Sequence, residues 1–114
     1  MPARRVVAAA ALAGLGAVSV AAADGQRVYD RTCAGCHASD GAGAMPGVPD
    51  FTARGGPLAK LDAVLWRSTL NGMARSGAMP MPARGGNPAL TDDELRAVLV
   101  YIRRAFGAQA TTEK

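Results

Sequence analysis

Apolar residues recur with helical spacing in three segments of the chain, and no segment alternates apolar and polar residues as a half-buried strand would. The first predicted helix extends from Gly25 to about Cys36, with Asp24 as its N-cap. Its inward face would carry Val28 and Tyr29. The pattern as a whole predicts an all-α fold with three main short helices.

The second predicted helix extends from about Leu58 to Asn71. Pro57 suits its first turn, and Gly72 suits the position directly after its end. Its apolar residues recur with helical period and would form one buried face: Leu58, Leu61, Val64 and Leu65.

The third predicted helix begins with a capping box, in which Thr91 caps the amide of Glu94 and Glu94 reaches back to the amide of Thr91. Leu90 and Leu95 occupy the hydrophobic staple positions on either side of the cap. We expect the helix to end near Phe106-Gly107, and its buried stripe would contain Leu95, Val98, Leu99 and Ile102.

The N-terminal segment Met1–Ala23 has the composition of a secretory signal peptide. Arg4-Arg5 forms a basic start, a mostly alanine apolar stretch follows from Val6 to about Val20, and Ala21-Ala22-Ala23 fits an A-x-A cleavage signal. We expect cleavage after Ala23, which would make Asp24 the first mature residue. The alternative is an uncleaved membrane anchor, since the stretch has nearly the length of a membrane span.

Removal of that segment leaves eleven basic and nine acidic residues, a net charge of +2, which is too weak for a nucleic-acid binder. Two cysteines are too few for a disulfide scaffold.

The remaining chain predicts one domain over residues 24–107 and a disordered tail over residues 108–114. Because long loops rich in glycine and proline separate its short helices, the domain needs an internal support such as a large apolar cofactor.

The segment Cys33-Ala34-Gly35-Cys36-His37 is a C-x-x-C-H motif, the attachment signature of c-type haem. Cysteines three apart on one helical turn can reach both vinyl groups of a porphyrin, and His37 is then held beside the iron. A closed zinc site would need a fourth ligand, since the chain offers two cysteines and one histidine. A thioredoxin-like thiol pair would need a βαβ context, and a bare disulfide would leave His37 unexplained.

The second axial position cannot be filled by histidine, because His37 is the only one in the chain. The remaining options are a methionine, a weaker group, water or an open position. Met79 and Met81 lie in a loop with Pro80 and Pro82, which restrict the backbone and would hold a weak thioether in place. From the sequence we favour Met79 as the ligand, with Met81 as the alternative.

The chain resembles the class I cytochrome c family in its small bacterial periplasmic form, over nearly all of residues 24–106. The features occur in the family's order: Gly25 and Tyr29, the C-x-x-C-H motif, a proline loop at Gly47–Phe51, a Met-Pro loop, and a last helix with Val98 and Tyr101 three apart. The resemblance implies a cytochrome c-like fold around one covalently attached haem c and its iron.

The resemblance also implies roles for individual residues. Val98 and Tyr101 would pack on Gly25 and Tyr29 where the first and last helices cross, and the Pro49 carbonyl would accept the N–H of His37. The family's loop is often Met-Pro-Pro, whereas here Met81 separates two prolines, which keeps Met81 open as a ligand.

Trp66, on the second predicted helix, would pack on a haem edge, hydrogen-bond a haem propionate or belong to the core. Three arginines are candidates for neutralising the haem propionates, although each is also explained as a solvated surface charge: Arg67, Arg75 and Arg84.

These expectations describe a monomeric periplasmic one-electron carrier that is not an enzyme. Its partners would be redox proteins, such as a periplasmic dehydrogenase or a terminal oxidase or reductase, met through a small transient interface. One alternative is a dedicated cytochrome subunit of a periplasmic dehydrogenase complex. Others are a ligand-binding or peroxidase-like haem protein with an open sixth position and a thiol oxidoreductase without haem.

Overall fold

The computed structural model describes residues 24–74 and 79–111. The predicted signal peptide, Arg75 and the last three residues of the predicted tail lie outside these ranges. Within these ranges the fold is helical, as predicted. The backbone pairing of extended residues in the described part of the chain is limited to one antiparallel bridge, between Met73 and Met81. No helix of the described part of the chain has the length and apolarity that a bilayer crossing requires.

Helix α1 comprises residues 24–37 and contains a π-helical turn that the sequence did not predict. Residues 24–28 are α-helical, Tyr29–Cys33 forms the π turn, and Ala34–His37 completes the helix. The amide of Ala34 donates to the Tyr29 carbonyl, five residues earlier. Such turns add a residue to the helix and often occur at functional sites. Here the turn ends at the first cysteine of the C-x-x-C-H motif.

Helix α2 spans Asp62–Asn71, so the prediction of a helix from Leu58 was wrong in its first turn. Pro57–Ala59 forms a separate 3₁₀ turn, and the backbone is extended at Lys60 and Leu61 before α2 begins. Leu61 therefore lies outside the buried face predicted for it, and it is 75% exposed.

Arg103 provides the physical reason for this break. Its guanidinium donates to the carbonyls of Leu58 (2.8 Å) and Lys60 (2.6 Å) and to the carboxylate of Asp62 (2.6 Å). Two carbonyls that a continuous helix would pair internally are satisfied by a side chain 43 to 45 residues away. A local sequence pattern cannot reveal such a contact.

Helix α3 spans Asp92–Thr111 and extends four residues beyond the end predicted near Phe106-Gly107. The predicted capping box is confirmed: the Glu94 amide donates to the Thr91 hydroxyl at 3.0 Å, and the Thr91 amide donates to the Glu94 carboxylate at 2.9 Å. The first four residues of the predicted tail continue this helix, and the disorder of the tail stays a prediction.

Replacement of Thr91 by alanine should lower the free energy of unfolding by about 1 kcal/mol, the usual value of an N-cap hydroxyl. Thr91→Ser keeps the hydroxyl and should restore nearly all of that stability. Chemical denaturation of the two variants beside the wild-type protein measures the difference. Equal losses in both variants would show that packing of the threonine methyl group, not the cap, is responsible.

Helices α1 and α3 cross at Gly25, as the resemblance implied. A Cβ atom on Gly25 would lie only 2.2 Å from the Ala97 carbonyl oxygen and 2.9 Å from Tyr101 Cβ. The rings of Tyr29 and Tyr101 pack beside the crossing with 5.4 Å between their centroids, and Val98 is fully buried. The absence of a side chain at Gly25 thus sets how closely the two helices approach.

The core combines residues of both terminal helices with residues of the loops between them. Its buried members are Val28, Tyr29, Phe51, Leu58, Leu90, Leu95, Val98, Ile102 and Phe106. The core is small for a chain of this length, since a cavity occupies the space between α1, α3 and the loops.

Candidate haem-binding cavity

The central cavity has a volume of about 410 Å³ and a wall that is mostly apolar. It brings together residues from all three helices and from the loops between them. Its apolar wall from α2, α3 and the adjoining segments includes Leu58, Leu65, Leu90, Leu95, Val98 and Ile102. A chain of this size would ordinarily close such a space with side chains, so the cavity fits a large apolar ligand.

The C-x-x-C-H motif forms the end of α1, and all three of its reactive side chains line the cavity. Cys33 and Cys36 are free thiols, not a disulfide. Burial, together with the nearby Cys36, raises the pKa of the Cys33 thiol to about 11. The Cys33 thiol is therefore protonated at physiological pH.

His37 stacks on Phe51, with 4.4 Å between the ring centroids and 12° between the planes. The loop that carries Phe51 folds back on the motif through two backbone bonds, from Gly43 N–H to the His37 carbonyl (2.9 Å) and from Ala44 N–H to the Cys36 carbonyl (2.8 Å). A third bond, from Phe51 N–H to the Gly41 carbonyl (2.8 Å), closes the loop on itself. Pro49 lines the cavity together with His37. The bond from His37 to the Pro49 carbonyl stays a prediction.

The loop between α2 and α3 contributes Met73, Met79 and Met81 to the cavity wall. Met73 and Met81 exchange two backbone hydrogen bonds, each 2.9 Å long. A side chain at Gly72 would clash with this pairing, because a Cβ atom there would lie 2.5 Å from the Met81 carbonyl oxygen. Gly72 has φ +78°, so glycine is favoured there by the backbone as well. The bridge fixes Met81 directly beside the end of α2.

Arg84 lines the cavity, and its guanidinium binds the Asp92 carboxylate at the start of α3. It also donates to the Leu90 carbonyl at 3.4 Å. Arg84 is one of the arginines that the sequence suggested for neutralising the haem propionates. These contacts already engage its guanidinium with the start of α3. Arg67 is exposed, which fits its reading as a surface charge.

Trp66 is not among the described residues that line the cavity, and it packs against the core, which fits its interpretation as a core residue; its packing on the haem stays a prediction. It borders a separate surface groove between α2 and α3. The guanidinium of Arg96 lies 4.7 Å from the centre of its ring. Trp66 therefore belongs to a cation–π pair that links the two helices.

The residues of the cavity fit haem c. Two free thiols on one helical turn, an adjacent imidazole and an apolar wall supply the attachment, one axial ligand and the apolar surroundings of the porphyrin. Thioether sulfurs of the Met-Pro loop line the same cavity. No group of three or more histidine, cysteine or acidic residues that could hold another metal occurs in the described part of the chain.

The family model described as cytochrome c oxidase, cbb3-type, subunit III matches residues 20–102. The chain belongs to the cytochrome c family. It is 38% identical over 81 residues to cytochrome c-555 of Chlorobaculum thiosulfatiphilum, covering 71% of this chain and 92% of that protein. It is 35% identical over 97 residues to cytochrome c-555 of Chlorobaculum tepidum, covering 85% of this chain and 88% of that protein.

A third relative is the cbb3-type cytochrome c oxidase subunit CcoP of Rhodobacter capsulatus. It is 31% identical over 106 residues, which cover 86% of this chain and 34% of that subunit. Membership in the cytochrome c family means one covalently attached haem c with its iron, and an electron-transfer role instead of catalysis. The fold class, the cofactor and the electron-carrier function predicted from the sequence are thereby confirmed.

Proposed function

We propose that this cytochrome c is a periplasmic one-electron carrier in which His37 and one thioether of the Met-Pro loop are the axial ligands of the iron. The observation that carries the proposal is the convergence of Cys33, Cys36, His37, Met79 and Met81 on one apolar cavity. When bound, the haem supplies the one-electron change between Fe(II) and Fe(III). With both ligands supplied by the protein, the iron would have no open position for substrate chemistry.

The chain's own residues attach the haem and stabilise its redox states. Cys33 and Cys36 would hold the porphyrin through two thioether bonds, and His37 would bind the iron through its imidazole. An accepting carbonyl at Pro49 would fix the orientation of that ring and raise its basicity. The apolar wall excludes water, and a soft thioether ligand favours the reduced state, so the potential should be high among c-type cytochromes.

The geometry favours Met81 over Met79 as the thioether ligand, in contrast to the preference from sequence alone. The backbone of Met81 is held by two hydrogen bonds to Met73 and flanked by Pro80 and Pro82. A thioether binds iron weakly, so a ligand whose backbone is already fixed loses less conformational freedom on binding. Met79, which is 47% exposed, lies outside this bridge and is the alternative.

The likeness to subunit CcoP supports a second candidate, a cytochrome subunit held stably by a redox complex. A free carrier and a bound subunit would share the same haem site and differ in how long the partner stays bound. We favour the free carrier, because the identity to the two cytochromes c-555 (38% and 35%) is higher than the identity to CcoP (31%). We expect a monomer that meets its redox partner through a small transient interface.

Expression of the full chain with the haem-attachment machinery tests the proposal. Intact mass spectrometry should show one haem per chain and a mature protein that begins at Asp24. Optical spectra should show a low-spin haem that binds carbon monoxide slowly when reduced. An unattached haem would contradict the covalent site, retention of residues 1–23 would contradict cleavage, and prompt carbon monoxide binding would favour the ligand-binding alternative.

A further inference from the structure

The residue directly after His37 has a backbone conformation that is strained for any side chain. Ala38 has φ 70° and ψ 159°. This region of φ and ψ is occupied almost only by glycine. Only one other non-glycine residue in the described part of the chain, Arg84, has a positive φ. A strained alanine beside an iron ligand must be held by its surroundings.

Three hydrogen bonds hold Ala38 in this conformation. Its amide donates to the Ala34 carbonyl at 2.8 Å, and its carbonyl accepts from the Gly41 amide at 3.2 Å. The shortest is the bond from the Tyr29 hydroxyl to the Ala38 carbonyl, at 2.6 Å. It is also the only one of the three that a side chain makes, so it can be removed without changing the backbone.

The Tyr29 hydroxyl is itself fixed by packing. The residue is 0% exposed, and its ring contacts those of Tyr101 and Phe106 at centroid distances of 5.4 and 5.6 Å. Burial is the main cause that raises the pKa of Tyr29, so its hydroxyl keeps its proton and acts as a donor well above neutral pH. Phe106 also stacks on Phe51, the ring that covers His37.

We propose that Tyr29 is a positioning residue for His37. Its hydroxyl holds the strained Ala38 carbonyl and thereby fixes the backbone at the point where the chain leaves α1. The imidazole of His37 is then held at one orientation against Phe51. The inference rests on the proposed function only in taking His37 as an iron ligand.

The test uses three variants of the haem-loaded protein: Tyr29→Phe, Ala38→Gly and the double variant. Tyr29→Phe removes one hydroxyl and keeps the ring, so the His37 backbone should become less constrained. The iron–imidazole bond to Fe(III) should weaken, which shifts the redox equilibrium towards Fe(II) by twofold or more. The paramagnetically shifted NMR signals of the His37 ring should move in the same variant.

Ala38→Gly should raise the melting temperature, because glycine adopts this conformation without strain. In the Ala38→Gly background, Tyr29→Phe should shift the redox equilibrium by less than half as much as it does alone. Tyr101→Phe is the matched control, since it removes the hydroxyl of a part-exposed tyrosine in the same aromatic group and should leave the His37 signals in place.

If Tyr29→Phe lowers the melting temperature but leaves the redox equilibrium and the His37 signals unchanged, Tyr29 is a packing residue only and the inference is wrong. A wild-type spectrum without shifted imidazole signals would instead overturn the proposed iron ligand. The two failures are therefore distinguishable.

Discussion

Replacement of Met81 by alanine is expected to abolish the far-red Fe(III)–thioether absorption band and to open the sixth position of the iron. Carbon monoxide binding to the reduced protein should become faster by roughly an order of magnitude or more, because the ligand no longer has to displace a sulfur. The reduction potential should fall, since the soft thioether that favours Fe(II) is lost. Optical spectra, stopped-flow binding and a redox titration measure the three effects.

Met79→Ala is the matched control, because it truncates a methionine two residues away in the same loop. It should keep the far-red band and the slow carbon monoxide binding. The reverse pattern would identify Met79 as the ligand and would restore the preference drawn from the sequence. If both variants keep the band, neither Met79 nor Met81 is by itself the required ligand, and the thioether would have to come from another methionine, such as Met73 in the cavity wall.

Replacement of Gly25 by alanine should lower the free energy of unfolding more than Thr91→Ala does. The new Cβ atom would lie 2.2 Å from the Ala97 carbonyl oxygen and 2.8 Å from its carbon, which are backbone atoms that no rotamer change can move. Helices α1 and α3 would have to separate, at a cost of about 3 kcal/mol. For a domain of this size the melting temperature of the haem-loaded protein should fall by more than about 10 °C.

Gly35→Ala provides the comparison on the same helix, because a Cβ atom at Gly35 meets nothing within 4 Å. Alanine is the better helix former, so this variant should be as stable as the wild-type protein or slightly more stable. Thermal unfolding followed by circular dichroism compares the two variants. Similar losses at both positions would mean that glycine flexibility, not the close helix crossing, explains the effect.

The features that the sequence determined by itself depend on residues close together in the chain. The capping box at Thr91, the helical periodicity and the C-x-x-C-H motif are local, because hydrogen bonds across three or four residues and thiols on one turn need no distant partner. The crossing at Gly25 required more than local pattern, and it came from the family resemblance.

Other features of the molecule depend on contacts that form when the chain packs. Leu61 is exposed because Arg103 binds the carbonyls before α2. Trp66 lies under Arg96 because two helices meet there. Met81 is fixed by its bridge to Met73, and Ala38 is held in a strained conformation by Tyr29. The contacts of Arg103 and Trp66 join segments far apart in sequence, and the other two join residues eight and nine positions apart, so none of them follows from the helical spacing of neighbouring residues.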